Sequence, residues 1–233
     1  MQDELKGKGD IFSQVNGDFP STLSEADKTS LRNIFREFLT GFSMMVDKGP
    51  FVTVFGSSKI TPEKYEYKLG MELGSGLAKL GYSVLTGGGP GLMEAVNKGA
   101  HDARGRSMGI NISIPSEQEA NPYTDPSITI KHFFVRKVLL LKYSSAYIFL
   151  PGGFGTLDEL FETITLVQTQ KIKPLPIILM RSEFWSGLME WIRGRLLVEG
   201  LILAEDVNSL YFADTVEDAI EIVKSKAVLY EKP

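Results

Sequence analysis

A run of small residues, Pro151-Gly152-Gly153-Phe154-Gly155-Thr156, is followed almost at once by two carboxylates, Asp158 and Glu159. Glycines let a backbone come close to a phosphate, and the unpaired N–H groups at the start of the next helix point at it. Thr156 adds a hydroxyl donor. The two acids fall in what the pattern predicts to be the first helical turn, where the helix dipole favours negative charge. Capping accounts for Asp158 by itself, whereas Glu159 is also placed to reach a sugar attached to the phosphate. No Gly-Lys-Ser/Thr follows, so the loop is not a Walker A motif, and it is not the G-x-G-x-x-G dinucleotide fingerprint either. A generic Rossmann dehydrogenase is therefore disfavoured.

Two further loops share this character, Gly56-Ser57-Ser58 and Gly87-Gly88-Gly89-Pro90-Gly91. Each follows a short apolar run of β type: FVTVF (51–55), YSVLT (82–86) and, before the first loop described, AYIFL (146–150). Further strands are predicted at 108–114, 128–133 and 176–180. Helices are predicted over 62–80, 92–103, 134–144, 157–170, 183–198 and 216–226. Strands alternating with helices imply βαβ crossovers and a parallel sheet, and strands that are apolar throughout imply helices on both faces. The expected fold is an α/β, Rossmann-like doubly wound sheet with an N-terminal helical extension. In such a sheet all three loops lie on one edge, where ligands bind. Tight turns alone would account for a single loop of this kind less awkwardly than for three.

Residues 1–50 read as a separate N-terminal piece. The stretch to about residue 22 is polar and is expected to be a loose arm. Ser24 then opens an amphipathic helix with Leu31, Ile34, Phe35, Phe38, Leu39 and Phe42 on its apolar stripe. Residues 51–233 form the expected nucleotide-binding domain.

Composition narrows the chemistry. The 233 residues contain no cysteine, which removes disulfides, thiolate metal sites and thiol nucleophiles. Two histidines, His101 and His132, stand at separate places, so a zinc site is not expected; no other metal and no cofactor is expected. The net charge of −4 gives no support for nucleic-acid binding. A small anion remains compatible with it, because local backbone dipoles can hold phosphate. No apolar stretch approaches the roughly 20 residues of a membrane span, and the N-terminus lacks an apolar signal core. A cytoplasmic protein is the expectation.

The run PGGFGTLDE (151–159) resembles the PGGxGTxxE pattern of the Lonely Guy family of cytokinin riboside 5′-monophosphate phosphoribohydrolases, long labelled possible lysine decarboxylases. GGGPGLMEAVNKGA (87–100) is similar to that family's second glycine loop, and Arg136-Lys137 to its Arg-Lys pair. The resemblance spans roughly residues 51–223. It implies hydrolysis of the N-glycosidic bond of a nucleoside 5′-monophosphate, giving free base and ribose 5-phosphate. Arg136 and Glu159 match the catalytic positions. Gly152, Gly153, Phe154, Gly155 and Thr156 match the phosphate cradle. Lys137, Glu117 (with Glu119 as an alternative alignment), Thr165, Ser57, Gly88, Gly89 and Glu94 are the further candidate substrate contacts. Glu94 departs from the plant-type pattern, which carries glycine there. With the N-terminal extension, that departure leaves AMP beside a cytokinin precursor as substrate. The resemblance also implies a homodimer or higher homo-oligomer.

N-glycoside cleavage passes through an oxocarbenium-like ribose, which a carboxylate stabilises. Glu159 beneath the ribose can hold hydroxyls, stabilise that cation or orient water. Arg136 lies among Phe133, Phe134, Val135, Val138, Leu139 and Leu140, so its charge needs a partner, and Glu159 is the candidate. Arginine can anchor phosphate, orient Glu159 or stabilise the leaving base, but does not act as a general acid at neutral pH. Two rivals stand beside this reading. One is a non-catalytic carrier of a nucleotide or of molybdenum cofactor. The other is a pyridoxal phosphate decarboxylase, for which Lys137 is the conceivable Schiff-base lysine.

Overall fold

The computed structural model describes residues 19–114 and 120–227. The chain divides into two compact units, with the boundary between Met44 and Met45. In the first, α1 spans Glu25–Met45. Ser24 caps it, its Oγ accepting from the Asp27 N–H at 3.1 Å. Phe38 and Phe42, one turn apart, bring their ring centroids to 5.5 Å. The loose arm expected up to residue 22 lies almost entirely outside the described residues.

The second unit alternates strand and helix: β1 (Phe51–Phe55), α2 (Tyr65–Lys79), β2 (Ser83–Thr86), α3 (Leu92–Asp102), β3 (Ser107–Ile112), β4 (Ser127–Ile130), α4 (Phe133–Lys142), β5 (Ser144–Phe149), α5 (Phe154–Gln168), β6 (Ile177–Met180), α6 (Ser182–Trp191), α7 (Ala204–Asn208), β7 (Leu210–Ala213) and α8 (Val216–Lys226). A stretch of widened turns, Ile192–Leu197, prolongs α6. The strands form one sheet of order β4-β3-β2-β1-β5-β6-β7, and every neighbouring pair is parallel. The chain therefore winds outward in one direction through β2, β3 and β4, then returns to start β5 on the other side of β1. That reversal opens a crevice at the C-terminal ends of β1 and β5.

Burial follows the alternation of side chains along each strand. Val52, Val54, Val84, Ala146, Ile148, Ile178 and Met180 face one layer, packed with Leu69, Leu73 and Leu77 of α2, Leu92 and Val96 of α3 and Val223 of α8. On β1 and β5, Phe55 and Phe149 stack with centroids 4.7 Å apart. Both faces are dry, which is why the strands read as unbroken apolar runs.

Three elements depart from the sequence reading. The edge strand β7 and the short α7 were not expected. Leu210-Tyr211-Phe212-Ala213 is bracketed by Asn208-Ser209 and Asp214-Thr215, a turn signal at each end that marks a strand. The helix expected from Leu157 begins instead at Phe154, with Gly153 in extended conformation as its cap. The glycine loop thus supplies the first turn itself.

Candidate active site

The three small-residue loops meet at the crevice. The Ser57 N–H donates to the Pro151 carbonyl at 3.1 Å, and the Ser57 carbonyl accepts from the Leu92 N–H at 2.9 Å. Ser57 therefore ties the end of β1 to the third loop and to α3 through its backbone. In α5 the first intrahelical bond of the loop runs from the Leu157 N–H to the Gly153 carbonyl at 3.0 Å. The N–H groups of Phe154, Gly155 and Thr156 precede it and have no acceptor within the helix. A Cβ on Gly152 would come within 2.1 Å of the Thr156 Oγ1, whereas Gly153 and Gly155 face open space. The fold itself needs glycine at the first position only; the other two leave the helix start bare for an anion. Phe154, between them, is 92% exposed.

Because α5 starts early, Asp158 and Glu159 do not stand in its first turn, which contains no acid. They lie in the second turn, and neither acts as a cap. Asp158 pairs with Lys137 at 3.1 Å, and Lys137 also reaches Glu162 at 3.0 Å. Glu159 turns inward to Arg136, whose Nη1 donates to its Oε1 at 3.1 Å.

Arg136 is pinned on two further sides. Its Nε donates to the Ile110 carbonyl of β3 at 2.8 Å and its Nη2 to the Gly87 carbonyl after β2 at 3.4 Å. A side chain on Gly87 would fall 2.1 Å from Nη2, so this position must be bare for the guanidinium to pass. The helix carrying Arg136 is fixed at its other end by hydroxyls from the sheet. Thr53 and Ser144 donate to the Leu140 carbonyl at 2.8 and 3.0 Å, and Tyr147 donates to the Leu141 carbonyl at 2.8 Å. Of α4, Val135 and Leu139–Leu141 are buried, while Phe133, Phe134 and Val138 are about half exposed. The helix is thus buried on one side, not all round.

Burial shapes the electrostatics of the pair. It raises the Glu159 carboxyl to about 7; the Arg136 charge opposes this, Asp158 adds to it, Lys137 opposes it and Glu162 adds to it. Burial also lowers Arg136, with Glu159 opposing. Around Lys137, burial works against the ammonium, but Glu162 and Asp158 outweigh it and hold its pKa above the ordinary value.

The second loop is held by buried amides that sequence reasoning missed. Asn121 donates its N–H to the Gly88 carbonyl at 2.9 Å and its Nδ2 to the Gly89 carbonyl at 3.0 Å. The same Nδ2 reaches Asn97 Oδ1 at 3.0 Å, which accepts from Thr86 at 2.6 Å. The remaining candidates separate from the site. Glu94 accepts from the Tyr67 hydroxyl at 2.8 Å, so it turns toward α2, and Met93 is the residue packed beside Arg136 at Gly87. Thr165 spends its hydroxyl on the Phe161 carbonyl at 2.7 Å, nine residues or roughly 13 Å along the helix from Thr156. The structure does not bring it to the loop. Glu117 and Glu119 lie outside the described residues. Trp185 is core, its Nε1 donating to the Met180 carbonyl, and Trp191 is half exposed. Among the described residues no cluster of three or more His, Cys, Asp or Glu could hold a metal, and no helix is long and apolar enough to cross a membrane.

A family model described as "possible lysine decarboxylase" matches residues 93–223, more than half of the chain and including Arg136, the glycine loop and Glu159. A cytokinin riboside 5′-monophosphate phosphoribohydrolase of Mycobacterium tuberculosis is 32% identical over 157 residues, covering 66% of this chain and 82% of that one. The chain belongs to the Lonely Guy family. A cytokinin riboside 5′-monophosphate phosphoribohydrolase of Arabidopsis thaliana is 29% identical over 201 residues, covering 83% of this chain and 91% of its own length. Among solved structures, the molybdenum cofactor binding protein of Rippkaea orientalis superposes with a TM-score of 0.56 at 27% identity, over 77% of this chain and 98% of that one. A molybdenum cofactor carrier protein from Chlamydomonas reinhardtii reaches the same TM-score at 22% identity, over 76% and 97%, and supports the fold alone. This Lonely Guy family member therefore shares its sheet with carriers and its sequence pattern with hydrolases.

Proposed function

We propose that the chain hydrolyses the N-glycosidic bond of a nucleoside 5′-monophosphate, AMP or a cytokinin riboside monophosphate, to free base and ribose 5-phosphate. The observation that carries this reading is the buried Arg136–Glu159 pair, placed one turn beyond a bare helix start at the crevice. At family level the chain is a hydrolase of N-glycosyl bonds. The substrate is the further step.

In this reading the phosphate sits on the N–H groups of Phe154, Gly155 and Thr156. The ribose then lies over Glu159. As the C1′–N bond breaks, the ionised carboxylate stabilises the positive charge spreading over C1′ and the ring oxygen. Water adds its oxygen to C1′, one proton goes to the departing base nitrogen, and ribose 5-phosphate is left. Arg136 stays charged, holds Glu159 in place and supplies positive charge; it does not deliver the proton. Incubation of the purified protein with adenosine, guanosine, cytidine, uridine and isopentenyladenosine monophosphates, with chromatography for free base, tests the reading. Tight binding without base release from any of them would leave the second reading, a carrier, which the likeness to the Rippkaea protein favours. A carrier has no chemical need for the buried pair.

The old decarboxylase label fits the site poorly. A Schiff-base lysine must present a neutral amine. Lys137, the conceivable candidate, is clamped as an ammonium between Asp158 and Glu162.

The reading includes a homodimer or higher homo-oligomer. Phe133, Phe134 and Val138 on α4 and Phe161 on α5 are exposed large apolar side chains on the two helices that carry the candidate catalytic pair. Burial against a second copy is the simplest use of such a surface.

A further inference from the structure

Asn111, on β3, is 4% exposed, and among the described residues its Nδ2 has no hydrogen-bond partner. A buried amide left without a partner is costly and calls for a reason. Its surroundings supply one. The carboxamide lies against Gly88, where a Cβ would fall 2.6 Å from Nδ2 and 2.8 Å from Oδ1, and Gly88 has φ +71°. The preceding residue, Ile110, gives its carbonyl to Arg136 Nε, and Gly87 gives its carbonyl to Arg136 Nη2. Asn111 and Gly88 thus each stand one residue beyond an Arg136 anchor, toward the ligand-binding edge of the sheet.

The order along that edge matches a nucleotide laid across it. The phosphate loop follows β5, and Arg136–Glu159 stands between that loop and β3. Three strand spacings of about 4.8 Å put β3 roughly 14 Å from β5. That is the scale of a nucleoside monophosphate from phosphate to base. We propose that the Asn111 carboxamide reads the base and selects adenine over guanine. An asparagine amide offers one donor and one acceptor, which pair with adenine N7 and N6–H; guanine presents two acceptors there, N7 and O6. The positive φ of Gly88 keeps a side chain from occupying the carboxamide's place. This inference rests on the hydrolase reading for the ligand's orientation, but binding tests it independently.

The experiment compares AMP and GMP on the wild type, Asn111→Leu and Asn111→Ala, both as kcat/KM for base release and as Kd in a Glu159→Gln background. Ribose 5-phosphate is the base-free control, and thermal midpoints report the fold. The expected result is a preference of about ten- to a hundredfold for AMP in the wild type that collapses to within about threefold in both variants. Ribose 5-phosphate binding stays unchanged. Asn111→Leu does not melt earlier than the wild type, because a partnerless buried donor has been removed. An unchanged AMP/GMP ratio in both variants overturns the proposal, and so does an equal loss of ribose 5-phosphate binding. Absence of base release from any nucleotide sinks the hydrolase reading instead, and the Kd ratio then still decides the role of Asn111.

Discussion

Arg136 Nη1 and Glu159 Oε1 meet at 3.1 Å inside the protein, on two different helices and with a strand between them in the chain. Each charge is the main compensation for burying the other. Glu159→Gln and Arg136→Ala are therefore expected to lower kcat for nucleotide hydrolysis at least about a hundredfold, the scale of removing one preorganised electrostatic group. Near-normal base release by either purified, folded variant would remove the pair from the mechanism. Arg136→Lys should not rescue, since an ammonium cannot serve Ile110, Gly87 and Glu159 together.

The raised carboxyl of Glu159 gives a stability signature. Its pKa moves from 4.5 in the unfolded chain to about 7 in the folded one. Between those values the folded state binds the proton more tightly, so this group's contribution to stability falls as pH rises. The wild type should lose stability relative to Glu159→Gln between pH 5 and pH 7.5, read as the difference in urea midpoints. A difference that is flat or of opposite sign would mean that the carboxyl is already ionised below pH 5. Catalysis should run the other way, with kcat/KM rising through about 7 as the ionised form appears.

Gly153 and Gly155 face open space, and Gly153 has an ordinary negative φ. Gly153→Ala and Gly155→Ala should leave the melting temperature unchanged or slightly higher, because alanine restricts the unfolded chain. Both should raise the KM for a nucleotide by about tenfold or more, since a methyl group replaces the bare approach to phosphate. Gly152→Ala should instead lower the melting temperature, its Cβ meeting Thr156. Melts and KM values of the three variants side by side check the contrast; equal KM in all of them would place phosphate elsewhere.

Lys137 bridges α4 to α5 through Asp158 and Glu162. Lys137→Met should weaken turnover by about tenfold through loss of the clamp on α5, an effect of positioning. Treatment of the wild type with pyridoxal phosphate and borohydride should leave Lys137 unmodified, as mass spectrometry of its peptide can show. Stoichiometric labelling there would revive decarboxylase chemistry.

Phe134→Glu and Phe161→Glu place charges on the exposed apolar side chains of α4 and α5. Light scattering should find these variants monomeric where the wild type is at least a dimer. A monomeric wild type, or variants that remain associated, would assign this surface another use.

The strands, the loops and the pairing of Arg136 with an acid were legible in the sequence, because each has a local cause. Apolar runs of strand length need cover on both faces, and three glycine loops after three such runs must share an edge. A charge among Val135, Val138 and Leu139 must find a counter-charge. The misses also have causes. The edge strand β7 is only four residues long, too short for a period to set it apart from the helices around it. Glycine reads as loop, which puts the expected start of α5 at Leu157, while in space Gly153 caps the helix and Gly155 stands in its first turn.

What the sequence determined by itself is the fold class and the motif that places the chain in its family, since both depend on residue type and spacing alone. The tertiary structure decided which candidates converge. It turned Glu94 to Tyr67 and Thr165 to its own helix, gave Lys137 to Asp158 and Glu162, set Met93 beside Arg136, and brought in Asn121, which no motif marks. The physical reason is that partners are chosen by direction and distance across packed elements. Side chains neighbouring in sequence leave a helix on different faces, and carbonyls as far apart as Gly87 and Ile110 can share one guanidinium.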